Sequence, residues 1–166
     1  MGKTVSIGLI IISLVIGIGY WISSASENAE EKREKLTQLI GTTDITVVAS
    51  STCGCCKLYA GYLEGEGFDV DLQLKSQSEV ESFKTENGIP SELWSCHTSK
   101  IGDYIIEGHI PVEGIEELFS QKPDIKGIAL PGMPSSSPGM PGPKLAPFEI
   151  EIITNDGQDG GLFIQI

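Results

Sequence analysis

Three cysteines in four residues, Cys53-Gly54-Cys55-Cys56, stand where the chain changes its period. Before them, Ile45-Thr-Val-Val-Ala-Ser-Ser51 is an apolar, β-branched run that reads as a buried strand. After them, Leu58, Tyr59, Tyr62 and Leu63 recur at helical spacing and predict a helix from about Cys55 to Glu66, stopped by Gly67. A strand that turns into a helix within a few residues points to an α/β layer arrangement. It also places the cysteines at a helix N-terminus, where unpaired amides and the positive dipole end lower thiol pKa values. A thiolate in that position is a nucleophile and a metal ligand at once.

The following segments extend the pattern. Phe68, Val70, Leu72 and Leu74 alternate with Asp69, Asp71, Gln73 and Lys75, which predicts a strand buried on one face, as at a sheet edge. Ser78 with Glu81 predicts a capping box for a helix carrying Val80 and Phe83 and ending at Asn87-Gly88. Two β-type runs, about His97–Ile101 and Tyr104–Gly108, flank Gly102-Asp103, whose leading glycine suits a type II′ hairpin turn. Pro111 opens a helix over Val112, Ile115, Leu118 and Phe119, and Pro123 closes it. This order, β-α-β-α-β-β-α, resembles the thioredoxin fold, whose second strand lies at a sheet edge. Six of the nine prolines fall between Pro131 and Pro147, which predicts an irregular Pro/Gly/Met loop. A C-terminal β-hairpin is signalled by Phe148, Ile150 and Ile152, then Asn155-Asp-Gly157, then Leu162–Ile164. The α/β domain is expected over residues 45–166, with 27–44 as a short helix or stalk.

The N-terminus has a different character. No charge lies between Lys3 and Glu27, and residues 5–22 are almost wholly apolar. At about 1.5 Å per residue, such a helix just spans a hydrocarbon core of about 30 Å. Tyr20 and Trp21 sit where an interfacial aromatic pair belongs. Residues 1–26 therefore read as a transmembrane signal anchor or, with Ser23-Ser24-Ala25 as the cleavage site, a signal peptide. The domain is expected on the extracytoplasmic side of the cell membrane, or periplasmic or secreted after cleavage. The chain carries 11 basic against 23 acidic residues, a net charge of −12 that repels a phosphate backbone and excludes nucleic-acid binding.

The remaining cysteines, histidines and methionines carry the chemistry. Cys53 and Cys56 have the spacing of thiol–disulfide exchange, while Cys55 adds a sulfur that exchange does not use and a soft-metal site does. Counting outward from Gly102-Asp103, Ile101 faces Tyr104 and Cys96 faces His109. Directly opposed residues share a sheet face with Cβ atoms about 5 Å apart. In a thioredoxin-like sheet the open end of this hairpin lies beside the end of the first strand, so Cys96 and His109 converge on Cys53. In this register His97 points to the opposite face, and a one-residue slip would exchange the two histidines. Each histidine alone also reads as an ordinary surface or hydrogen-bonded strand residue. Met133 and Met140 lie in PGMPSSSPGMPGP, where their thioethers are either Cu(I) ligands or packing over the site.

Four blocks in order, CGCC after a strand, GIPSELWSCHT, YIIEGHIP and IALPGMPSSSPGMPGP, are similar to one family. They resemble the small exported metal-binding proteins of a family of unknown function that includes the CopG-type copper-resistance proteins. The resemblance covers about residues 45–157. Two departures are Pro141, where the family usually has an acidic residue, and Ser135–Ser137 in place of a glycine-containing spacer. The resemblance implies a thioredoxin-like fold, a periplasmic location, copper handling and metal-binding cysteines at Cys53, Cys55, Cys56 and Cys96.

The preferred reading is therefore an extracytoplasmic protein that sequesters or transfers Cu(I), with a copper-donor or copper-acceptor protein as partner and the membrane engaged through residues 5–22. Its metal-site candidates are Cys53, Cys55, Cys56, Cys96, His97, His109, Met133 and Met140. One alternative is an enzyme, a thiol–disulfide or copper-linked oxidoreductase using Cys53 and Cys56. Another is a Cys₃His zinc site in an interaction module.

Overall fold

The computed structural model describes residues 28–166, so the apolar segment 5–22 lies outside the described residues. Among those described, no helix is long and apolar enough to cross a membrane. Helix α1 covers residues 28–40. It is followed by β1 (Asp44–Ser50), α2 (Gly54–Gly65), β2 (Asp69–Lys75), α3 (Gln77–Glu86) and a 3₁₀ turn at Ser91–Leu93. Then come β3 (His97–Ile101), β4 (Tyr104–Glu107), α4 (Val112–Gln121), β5 (Gly127–Ala129), β6 (Glu149–Ile153) and β7 (Asp159–Gln165).

All seven strands form one mixed sheet in the order β2-β1-β3-β4-β5-β6-β7. Strand β1 is parallel to β2 and antiparallel to β3, and β3 is antiparallel to β4. The predicted edge position of β2 is observed, but its apolar face is covered less than the alternation predicts: Val70 and Leu72 are half-buried, and Leu74, expected on that face, is 45% exposed. By contrast Val47, Val48 and Ala49 of β1 are buried on both faces, as the unbroken apolar run requires of an inner strand.

One apolar layer joins Leu36 of α1, Tyr59 and Leu63 of α2, and Ile115 and Leu118 of α4 to Val47 and Ile106 of the sheet. A smaller cluster of Ile89, Leu93, Ile105, Ala129 and Ile153 covers the other side. Ile105 and Ile106 are adjacent in β4 and enter different clusters, as alternation dictates. Helix α1 is docked rather than free. Besides Leu36, Lys32 pairs with Glu66, Arg33 with Asp69 and Lys35 with Glu116.

One expectation is corrected. The capping box of α3 is formed by Ser76 and Glu79, two residues before the predicted pair Ser78 and Glu81. Ser76 retains extended backbone at the end of β2 and is free to cap, whereas Ser78 already lies inside the first turn. The predicted C-terminal hairpin is formed by β6 and β7, and it joins the sheet through a strand that the sequence did not reveal. A three-residue strand, β5, pairs parallel to β4, and β6 and β7 extend the sheet from it. Three residues are too few to display a period. Gly127 permits the pairing, because a Cβ there would stand 1.9 Å from the Ile105 carbonyl oxygen.

Candidate metal centre

Strand β1 delivers the chain to Cys53, whose amide donates to the Ser50 carbonyl at 2.9 Å. Cys53 is the N-cap of α2, and its sulfur accepts the Cys56 amide at 3.3 Å. The predicted strand-to-helix junction is therefore where the cysteines stand. Cys53 and Cys56 are joined in a disulfide with their Cα atoms 5.4 Å apart. Cys55 and Cys96 are free thiols. Cys55 Sγ lies 3.5 Å from Cys53 Sγ and 4.0 Å from Cys96 Sγ, and Cys96 Sγ is 3.4 Å from Cys56 Sγ. The four sulfurs all lie within 4.8 Å of one another.

The β3–β4 hairpin brings the other donors. Its register pairs Ile101 with Tyr104 and Thr98 with Glu107, so counting outward sets Cys96 against His109. Cys96 Sγ and His109 Nε2 are 2.9 Å apart. His109 Nδ1 stands 2.6 Å from the Pro138 carbonyl. A carbonyl only accepts, so Nδ1 carries the hydrogen and Nε2 turns its lone pair toward Cys96. That is the orientation a metal-ligating imidazole needs.

His97 corrects a prediction. It does not point away from the site: its Nδ1 lies 3.3 Å from Cys96 Sγ, and its ring centre is 4.7 Å from that of His109. Thr98 and Glu107 occupy the α3 side of the sheet through their bonds to Lys84, which leaves His97 on the α2 side against Tyr59. The chain bends at Cys96, and Gly108 adopts a φ of 83°, so Cys96 and His109 leave the regular alternation and join His97. Cys96, His97 and His109 form a second group whose ligand atoms lie within 4.8 Å of one another. Cys96 belongs to both groups.

Burial sets the electrostatics. It pushes the Cys96 thiol up to about 12, with the nearby Cys55 acting in the same direction. Burial likewise holds His97 well below the usual imidazole range, reinforced by His109 and Lys84. His109 is lowered by burial against the opposing pull of the Pro138 carbonyl. Both rings are therefore neutral at pH 7 and have lone pairs to offer. Cys96 would hold a soft metal as its thiolate, so binding there would release the thiol proton.

The Pro/Gly/Met loop lies over the start of α2. Gly139, with a φ of 81°, sits so close that a Cβ would stand 2.8 Å from the Cys55 carbonyl and 2.9 Å from the Tyr59 amide nitrogen. Met140 is half-buried beside it, whereas Met133 is 52% exposed. The site's inner wall is Tyr59, which the sequence offers only as an apolar helix position. Its ring lies 4.5 Å from His97 and 5.3 Å from His109, and its hydroxyl donates to the Ile110 carbonyl.

Two solved structures are similar to this chain over most of its length. They are two forms of the copper resistance protein CopG, each 32% identical over 75% of this chain and 98% of the other, with TM-scores of 0.67 and 0.66. The chain belongs to the CopG-type copper-resistance family. Residues 93–140, from the 3₁₀ turn through the second methionine, also match the family model described as a protein of unknown function, DUF411. No curated relative matches the chain. In this family member the matched core contains Cys96, His97, His109 and the methionine loop, while Cys53–Cys56 reach the same centre from α2. Two free thiols, a disulfide that can open to two more and two imidazoles make a centre suited to handling a metal.

Proposed function

We propose that this protein binds Cu(I) as cargo and sequesters it or passes it to an acceptor protein outside the cytoplasm. The observation that carries the reading is the convergence of four sulfurs within 4.8 Å, which become four thiols when an external dithiol reduces the Cys53–Cys56 disulfide and is itself oxidised to a disulfide, with His109 Nε2 directed at Cys96. Thiolate is the ligand that favours Cu(I), and an exchange enzyme needs two cysteines rather than four. The solved relatives carry copper resistance in their names. The sheet order β2-β1-β3-β4 supports a thioredoxin-like core on which the centre is built. Methionine at 133, exposed in a Pro/Gly loop, offers a soft thioether to an arriving ion. The apolar residues 5–22 support a membrane anchor with the domain on the extracytoplasmic face, where a copper donor or acceptor would meet it.

A second reading has its own observation. The Cys53–Cys56 disulfide at a helix N-terminus is the arrangement of a thiol–disulfide oxidoreductase. The two readings separate on Cys55. Cu(I) loading with elemental analysis, followed by competition titration, both under reducing and anaerobic conditions, compares wild type with Cys55→Ser and Cys53→Ser. Insulin reduction is assayed in parallel. Copper handling predicts that Cys55→Ser weakens Cu(I) binding and still forms the Cys53–Cys56 disulfide. Wild-type Cu(I) binding by Cys55→Ser, together with strong reductase activity abolished in Cys53→Ser, would establish the enzyme instead.

A further inference from the structure

On the α3 side of the sheet, opposite Tyr59, lies an ion pair that the copper reading does not use. Lys84 of α3 and Glu107 of β4 are in direct contact, with side chains 2% and 0% exposed. Lys84 Nζ also donates to Thr98 Oγ1 at 3.0 Å, and Thr98 Oγ1 donates to Glu107 Oε2 at 2.6 Å. Glu107 Oε1 accepts the Ser95 amide at 2.6 Å. Three donors thus point at one carboxylate, which is the pattern an ionised acceptor satisfies.

A buried ion pair is poor evidence for stability, because well-packed apolar residues of similar volume often serve as well or better. Its geometry indicates another role. The regular β3–β4 register ends at Thr98 and Glu107, apart from the Gly108 amide donating to the His97 carbonyl. Ser95 lies beyond that ladder, in an isolated parallel bridge with Gly132, and its amide is taken by the Glu107 carboxylate rather than by a strand carbonyl. The other carboxylate oxygen holds Thr98. Ser95 and Thr98 bracket Cys96-His97, and Glu107 itself stands two residues before His109. The Ser95 hydroxyl continues the chain of contacts by donating to the Gly132 carbonyl, at the start of the methionine loop.

We propose that Glu107 is the positioning residue of the copper centre: its two oxygens clamp the residues on either side of Cys96-His97 and thereby set where the Cys96 sulfur and the His97 ring stand. Lys84 neutralises the clamp. The inference rests on the copper reading above, and it makes the position of Cys96, rather than stability, the property for which the ion pair is kept.

The test uses the full chain in mild detergent and two paired substitutions. Lys84→Met/Glu107→Leu removes charge and hydrogen bonds together, while Lys84→Met/Glu107→Gln removes charge but leaves a carbonyl for Ser95 and an amide for Thr98. Cu(I) affinity is read anaerobically by competition with a chromophoric Cu(I) chelator, with thermal midpoint and the rate of Cys96 alkylation measured alongside. The Leu pair is expected to stay folded, to lose about 10- to 100-fold in Cu(I) affinity and to alter Cys96 alkylation. The Gln pair is expected to retain wild-type values of both. Wild-type affinity in a folded Leu pair, or an equal loss in both pairs, overturns the proposal. If wild type itself takes up no Cu(I), the copper reading fails, and Cys96 alkylation still decides whether Glu107 positions that thiol. Should the Leu pair fail to fold, amide exchange in wild type decides: protection of the Ser95 amide matching that of the β3 amides supports the clamp, and exchange at the solvent rate refutes it.

Discussion

Replacing Gly139 with alanine tests whether the methionine loop is seated on the cysteine helix as closely as the structure shows. The new Cβ would stand 2.8 Å from the Cys55 carbonyl oxygen and 2.9 Å from the Tyr59 amide nitrogen, both rigid atoms of a helix's first turns. Ordinary van der Waals contact begins near 3.4 Å, so the loop must retreat by about 0.6 Å. The backbone adds its own cost, because alanine at a φ of 81° is strained by roughly 1–2 kcal/mol. Overpacking contributes about 1–3 kcal/mol, giving a total of about 2–5 kcal/mol. Two other glycines separate these contributions. Gly132 has a φ of 67° with nothing within 4 Å of a Cβ, so Gly132→Ala should show the backbone cost alone. Gly54 has neither constraint, and Gly54→Ala in the first turn of α2 should be neutral or stabilising by a few tenths of a kcal/mol. Urea unfolding of the reduced, metal-free protein gives the three values. Retreat of the loop also draws the Pro138 carbonyl from His109 Nδ1, so the His109 ring nitrogens should shift in ¹⁵N spectra of the Gly139 variant only. If Gly139→Ala costs no more than Gly132→Ala and leaves His109 unshifted, the loop does not press on the cysteine helix.

Acid should destabilise the metal-free protein from about pH 6.5 downward. Burial lowers the folded-state values of His97 and His109, so the unfolded chain binds more protons and stability falls as pH falls. The urea midpoint should drop between pH 7.5 and 5.5, and His97→Gln should reduce that drop; an identical drop in the variant would exonerate His97. Lys84→Met alone should cost about 3–5 kcal/mol, because it strands the Glu107 charge in the interior, and urea unfolding of a variant matching wild type would show that the pair is not ionised. Leu36→Ala should cost about 2–5 kcal/mol, since Leu36 fixes α1 to the core at 1% exposure. A thermal midpoint unchanged by that substitution would mean that α1 swings free.

What the residues determine locally is legible in the sequence. The change of period at Cys53-Gly-Cys-Cys56 placed the cysteines at a strand-to-helix junction, because strand and helix side chains repeat at 2.0 and 3.6 residues. Counting from Gly102-Asp103 set Cys96 against His109, because hairpin register is a local property of the turn. Alternation in residues 68–75 located the sheet edge. The tertiary structure decided what depends on contacts between distant segments. His97 joins the site because the chain bends at Cys96 and because Thr98 and Glu107 claim the other face through Lys84, fourteen residues from Thr98. Tyr59 becomes a wall of the centre only once α2 lies over β3. The three-residue β5 exists because β4 supplies its partner, and without that partner so short a segment has no preference of its own. Glu107 reads in sequence as one more acidic residue among 23, and its surroundings alone make it a buried clamp. Periodicity records which face a residue takes, whereas the identity of what waits on that face is settled by packing.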